Sequence, residues 1–462
     1  MIITDELDSS KAKPAAETAS GEPSWSNTEA PPPYWSSQET DPVFQNSPTP
    51  KRHGKAARKR FLEAFACAAV VWTAACALFS SLNLFRRMER PPLRVDPGKF
   101  FPGENVIDCV RAGEWAIQTH RPQVGDGPHM LYASAELDLP RSTEGIFLLS
   151  KGSTSSGSLT VETSEDITSV RVKFNASLGR RTREAIGDAE VCLLKREDQN
   201  YGVGMFASSG SFDAEEVFTS VVLQLPTSPS SSTHYTHFET NLPRFEHRFR
   251  GLGNTIFFGN MTLRSSGAPI SILNPLHVEL ADIFTSNAPI LGSLRSSRHL
   301  SLETTHAPIE IELEMRSDTY DSASRARLRT TDSPITAVVR LLSSGFGSNF
   351  DLETSSTKNY SSVAILQAPL DPILRINMTD SKTRTSLPSS FEGRWQMHSN
   401  TSILYMGPGQ DPTGGGRTRH EKASPTNSHG KVWWGDQPSI ACESSLVELW
   451  GNQQAALMIG MS

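Results

Sequence analysis

The chain has 462 residues, with 44 Lys and Arg against 50 Asp and Glu and a formal net charge of −6, so it lacks the basic footprint expected of a nucleic-acid binder. About a fifth of the residues are Ser or Thr, a composition that suits wetted strands and turns. The five cysteines do not make a disulfide framework, and the pairing among Cys109, Cys192 and Cys442 stays open.

Residues 1–60 mix Pro, Ser, Glu and Lys with few large aliphatics. They cannot bury enough apolar surface to offset the entropy of ordering, which predicts a disordered tail. Within it, Pro31, Pro32 and Tyr34 belong to the string Pro31-Pro32-Pro33-Tyr34, the form that WW domains read through a preformed polyproline helix. From Phe61 to Phe85 the only charge is Glu63, and the run is long enough to cross a hydrocarbon core of about 30 Å. This predicts one transmembrane helix over 61–85. Lys51, Arg52, Lys55, Arg58, Lys59 and Arg60 precede the run, and all five acceptor sequons, at Asn175, Asn260, Asn359, Asn377 and Asn400, follow it. Both observations predict a single-pass type II orientation, with the N-terminus cytosolic and the C-terminus luminal or extracellular, at the plasma membrane or in the secretory pathway. Residues 86–103 read as a linker.

From 104 to 450 short alternating runs recur between turn residues, as in Ala135 to Leu139, Ser169 to Phe174 and Ile440 to Leu449, and predict an all-β domain. One phrase repeats at Leu263 to Ile270, Ile283 to Ile290, Leu302 to Ile309 and Leu328 to Ile335. It runs aliphatic, any residue, two hydroxyl residues, any residue, Ala or Ser, then Pro-Ile. Leu352 begins a fifth copy that loses its Pro-Ile, and the repeats are clearest over 263–366. Each phrase reads as a strand, a tight turn and a second strand whose first residue need not donate to a ladder. A unit this short must stack on its neighbours to close a core, which predicts a β-solenoid or parallel β-helix, with a β-sandwich as the alternative. In register, Glu303, Arg329 and Glu353 would lie side by side with alternating sign. A long loop is expected at about 407–429 and a C-terminal tail over 451–462.

The proline-rich tail, the apolar run behind a basic cluster, Phe147-Leu148-Leu149-Ser150-Lys151-Gly152, the phrase Thr285 to Ile290, Phe391 to Trp395 and Gly430 to Gly435 together resemble one family. It comprises fungal single-pass membrane proteins of unknown function with an adhesin-like β-repeat ectodomain. The resemblance covers most of residues 30 to 450 and implies a β-rich, repeat-built ectodomain.

Little in the chain points to chemistry, and no catalytic, cofactor or metal site is expected. Gly251-Leu252-Gly253 lacks the third glycine of a dinucleotide fingerprint and reads as a turn. His234, His237 and His247 form a histidine cluster, but their surroundings read as a polar loop rather than a metal site. Glu310, Glu312 and Glu314 alternate with apolar residues, which places three like carboxylates on one solvent face. The expected function is a non-catalytic, adhesin-like interaction protein whose ectodomain meets a glycan or cell-wall ligand. The alternatives are a carbohydrate-active enzyme on a β-helix and a membrane sorting adaptor acting through Pro31, Pro32 and Tyr34 with a WW-domain partner.

Overall fold

The computed structural model describes Trp72 and most of residues 104–460, the exceptions in that range being 112–114, 120–130, 152–154, 179–188, 197–198, 208–216, 229–231, 320, 344–346, 370–371, 410 and 427. The described strands begin with β1 (Asn105–Arg111), β2 (Ala116–Thr119), β3 (Leu131–Asp138), β4 (Gly145–Lys151) and β5 (Ser155–Ser164). There follow β6 (Arg171–Leu178), β7 (Ala189–Lys195), β8 (Asn200–Ala207) and β9 (Val217–Pro226). The repeat region holds β10 (Thr233–Asn241), β11 (Phe245–Phe249), β12 (Ile256–Ser265), β13 (Ile270–Thr285), β14 (Ile290–Thr304) and β15 (Ile309–Arg316). It continues through β16 (Ser324–Thr330), β17 (Ile335–Leu342), β18 (Asn349–Ser356), β19 (Tyr360–Gln367) and β20 (Ile373–Leu387). Last come β21 (Gly393–Ser399), β22 (Ser402–Met406), β23 (Arg419–Ala423), β24 (His429–Trp434), the helix α1 (Ile440–Ser444) and β25 (Leu446–Ile459).

Two parallel ladders run through the repeats. The first joins β8, β4, β10, β12, the second halves of β13 and β14, β16, β18 and the first halves of β20 and β25, ending on β21. The second joins β9, β5, β11, the first halves of β13 and β14, β15, β17, β19 and the second halves of β20 and β25, ending on β22. Antiparallel strands cover three of the four ends: β7 and β1 flank β8, β6 and β3 flank β9, and β24 and β23 flank β21.

This corrects the expected fold class on two points. Because β14 and β20 are each 15 residues long and serve both ladders, the strands β14, β16, β18, β20, β19, β17 and β15 close into a parallel ring of seven, not an open stack. No helix among the described residues is long and apolar enough to cross a membrane, so the single transmembrane helix expected over 61–85 is not supported. That run lies outside the described residues except for Trp72, as do Pro31, Pro32 and Tyr34. Two local readings also change. Ile440–Ser444 is helix rather than strand, and the segment expected as a tail from 451 is the second half of β25, with Ala455, Leu457 and Ile459 buried.

The repeated phrase has a physical account. Its first aliphatic points inward and forms the fully buried row Leu263, Ile283, Leu302 and Leu328 across neighbouring strands. Its Ile forms a facing row, Ile270, Ile290, Ile309 and Ile335, each side chain contributing roughly 1.5–3 kcal/mol by burial. The proline before each Ile needs no donor, while its carbonyl accepts the N–H one rung back: Ile270 bonds to Pro289, Ile290 to Pro308 and Ile309 to Pro334. The first hydroxyl residue forms a third inward row, Ser265, Thr285, Thr304, Thr330 and Ser356. Thr304, Thr330 and Ser356 donate to the turn carbonyls of Ala288, Ala307 and Ser333 in the preceding rung, at 3.4, 3.3 and 3.0 Å. These bonds satisfy buried acceptors that the ladders leave free. Opposite the register shift in β13 between Ile272 and Leu276, Gly292 has φ +132° and a Cβ there would lie 2.0 Å from the Ile272 carbonyl oxygen, so the phrase is followed by glycine at that point.

Candidate binding face

Outward residues of the first ladder form a grid. One row reads Arg264, Phe284, Glu303, Arg329, Ser355, Thr379, Trp450 and His398 across successive strands. The adjacent row reads Asp282, Ser301, Arg327, Glu353, Asn377, Glu448 and Gln396. Five strand spacings of roughly 4.8 Å separate Phe284 from Trp450, or about 24 Å of sheet. Trp450 is 44% exposed, and its ring stacks on His398 with centroids 3.8 Å apart and an interplanar angle of 12°. Because the two residues are register partners on neighbouring strands, the stacked rings stand up from the sheet, with Thr379 on the other side of Trp450.

Glu303 stands directly opposite Arg329, as the repeat spacing predicts. The next step differs: Arg329 faces Ser355, and Glu353 faces Arg327. Leu352 aligns with Ala326, so the fifth copy of the phrase begins two residues later, at Thr354. A two-residue shift keeps the same face, and Glu353 still reaches Arg327 at 2.9 Å and Arg329 at 2.8 Å. Burial pulls the Glu353 carboxyl up, but hydrogen bonds from Arg329 and Arg327 outweigh it and hold the group below its ordinary value.

A shallow cleft lies further along the same ladder, lined by Phe147, Arg196, His237, Glu239, Asn260 and Thr262. Arg196 is fixed by Glu104 at 3.0 Å and Glu239 at 2.5 Å, with its guanidinium 4.1 Å from the Phe147 ring centroid. Such a fully paired cation is a structural clamp.

The three histidines do not converge. His234 and His237 lie on the exposed face of β10, whereas His247 is fully buried. Its Nδ1 lies 2.9 Å from the Phe245 carbonyl, which can only accept, so Nδ1 carries the proton and Nε2 accepts from the Thr240 hydroxyl at 2.8 Å. Burial pushes the His247 pKa down to about 4, the Phe245 bond only partly opposing it. Glu310, Glu312 and Glu314 alternate with buried Ile311, Leu313 and Met315 on β15, and Glu312 and Glu314 meet Arg340 and Arg295 at 3.8 and 3.1 Å. Gly251 and Gly253 have φ +68° and +50°, as a turn requires.

Of the sequon residues, Asn175, Asn377 and Asn400 are exposed, while Asn260 and Asn359 are half-buried. The Asn359 amide nitrogen donates to the Asp332 carbonyl at 3.2 Å, and the hydroxyl of its sequon partner Ser361 is buried. Cys109 and Cys192 form a disulfide across β1 and β7. Cys442 is a buried free thiol, pushed up to about 11 by burial.

Asp380 is the conspicuous buried group. It follows Ser356 in the inward hydroxyl row and is 3% exposed. Burial raises its pKa to about 7, against partial lowering by the Ser361 hydroxyl, the Ser356 backbone and the Thr354 hydroxyl.

No protein-family model matches the chain, and no curated protein matches it. Among solved structures, the chain is similar to the crystal structure of a candidate cell adhesion protein from Clostridium sporogenes, with 9% identity over 71% of this chain and 98% of that one. The TM-score is 0.15, and a likeness at that level carries no argument about fold or activity.

Proposed function

We propose that the β domain is a non-catalytic, adhesin-like recognition module that binds an extended polysaccharide along the outer face of the first ladder. The observation that carries this reading is Trp450, a partly exposed ring held in a stack with His398 at one end of a grid of hydroxyl, amide and charged side chains. A sugar ring presents an apolar face to an aromatic platform and hydroxyls to polar neighbours, and a sheet repeats both at regular spacing. The Cys109–Cys192 disulfide suits a secretory lumen or cell exterior, where such polymers occur. Asn377 stands in the adjacent row, so this use of the face requires that residue to be unmodified.

The test is a panel of wall polysaccharides and glycoprotein glycans offered to the full chain in pull-down and calorimetry. Trp450→Ala should weaken binding of the retained polymer at least about tenfold, as expected for loss of an aromatic anchor. Failure of the wild-type chain to retain any of the panel, or equal affinity of the variant, would overturn the reading.

A further inference from the structure

The aliphatic rows of the repeat turn polar at the fifth copy. In the first-ladder row, Ile283, Leu302 and Leu328 are followed by Thr354. In the facing row, Ile290, Ile309 and Ile335 are followed by Ser361 and then Thr383. The hydroxyl row ends on Asp380. The fifth copy therefore loses its aliphatic and its Ile where Asp380 arrives.

All four side chains are buried, and neither Asp380 oxygen nor the Thr354, Ser361 and Thr383 hydroxyls has a hydrogen-bond partner in the structure. Yet the Ser361 and Thr354 hydroxyls and the Ser356 backbone lie near enough to act on the carboxyl. Thr383 stands beside Ser361 on the neighbouring strand, and buried polar atoms are rarely left without partners. The charged side chains of the surrounding strands, Asp351, Glu353, Arg375, Lys382, Arg384 and Glu448, occupy the alternate, outward positions. A water would supply hydrogen bonds and leave the carboxylate charge without a counter-charge. One carboxylate with hydroxyl oxygens balances a single positive charge and falls short of the several carboxylates that bind calcium.

We propose that Asp380, Thr354, Ser361 and Thr383 form a buried binding site for one small alkali cation that staples the ring of parallel strands. The proposal is independent of the outer binding face. It is tested on the full chain at constant ionic strength and pH, following thermal unfolding in choline chloride with increasing LiCl, NaCl or KCl. One of the three cations should raise the midpoint selectively and saturably, by roughly 2–4 °C at tenfold excess over half-saturation. Asp380→Asn should abolish the cation-specific shift. Ser361→Ile, which restores the residue of the preceding rungs and guards against a variant that fails to fold, should weaken it. Equal midpoints in all four salts, or a selective shift that survives in either variant at full size, would overturn the site.

Discussion

His247 occupies the same inward row as the isoleucines of the repeat, opposite Leu159 on one side and Ile270 on the other. Replacing it with isoleucine continues the row and removes a titrating group. The wild-type residue is held neutral by burial, with a pKa of about 4 against an ordinary 6.5. Above pH 6.5 neither the folded nor the unfolded chain binds this proton, so the site's contribution is complete. As pH falls below 6.5 the unfolded chain takes up the proton and the folded chain does not, so stability is lost until about pH 4. The full difference of about 2.5 units corresponds to roughly 3.4 kcal/mol, of which roughly 2 kcal/mol is already gone at pH 5. Urea unfolding followed by tryptophan fluorescence at several pH values between 7.5 and 4 measures the slope. His247→Ile leaves the Thr240 hydroxyl without its partner, a pH-independent cost of about 1–3 kcal/mol, but its stability should vary less over this window by the amount computed. Parallel slopes in the two proteins would refute the assignment of a neutral, buried His247.

Thr330→Val keeps the shape of the hydroxyl row and removes the bond to the Ala307 carbonyl, and should cost about 1–3 kcal/mol in urea unfolding because a buried acceptor is left bare. Glu353→Gln removes two partly exposed ion pairs, and should cost less than about 1 kcal/mol, with the difference vanishing in 1 M salt. Glycopeptide mapping of protein from secreting cells should find the exposed Asn175 occupied and Asn359 empty, because Asn359 is half-buried and the hydroxyl of its sequon partner Ser361 is buried.

The repeat was legible in the sequence because its period rests on residues whose burial is one-sided. Leu302, Pro308 and Ile309 each answer to one requirement of a parallel rung, and the direct opposition of Glu303 and Arg329 follows from their spacing alone. The closing of the ring was not legible. It depends on β14 and β20 remaining continuous strands where they pass from one ladder to the other, between Ser296 and His299 in β14, and those residues carry no sequence signal of the passage. The antiparallel covers at β1, β7, β23 and β24 belong to no repeat, so periodicity had nothing to say about them. At Ile440, apolar residues on alternate positions spell a strand, although the segment folds as a five-residue helix.

The site failed to show for a different reason. A template built on aliphatics slides to the nearest one, and Leu352 drew the fifth copy two residues out of its true register. Thr354, Tyr360 and Ser361 are the structural counterparts of Leu328, Pro334 and Ile335, and no hydrophobic pattern can find a position where the pattern is absent. Asp380 likewise stands where its predecessors are Ser and Thr, a difference that becomes visible only once the rungs are stacked. Trp450 lay at the boundary with a segment expected to be a tail, and an isolated tryptophan near a chain end carries no periodic signal. Its partner His398 is 52 residues away in sequence and meets it only because β21 and β25 pair in parallel. The rungs could be read from local spacing, but both places where the chain departs from the rungs required their register first.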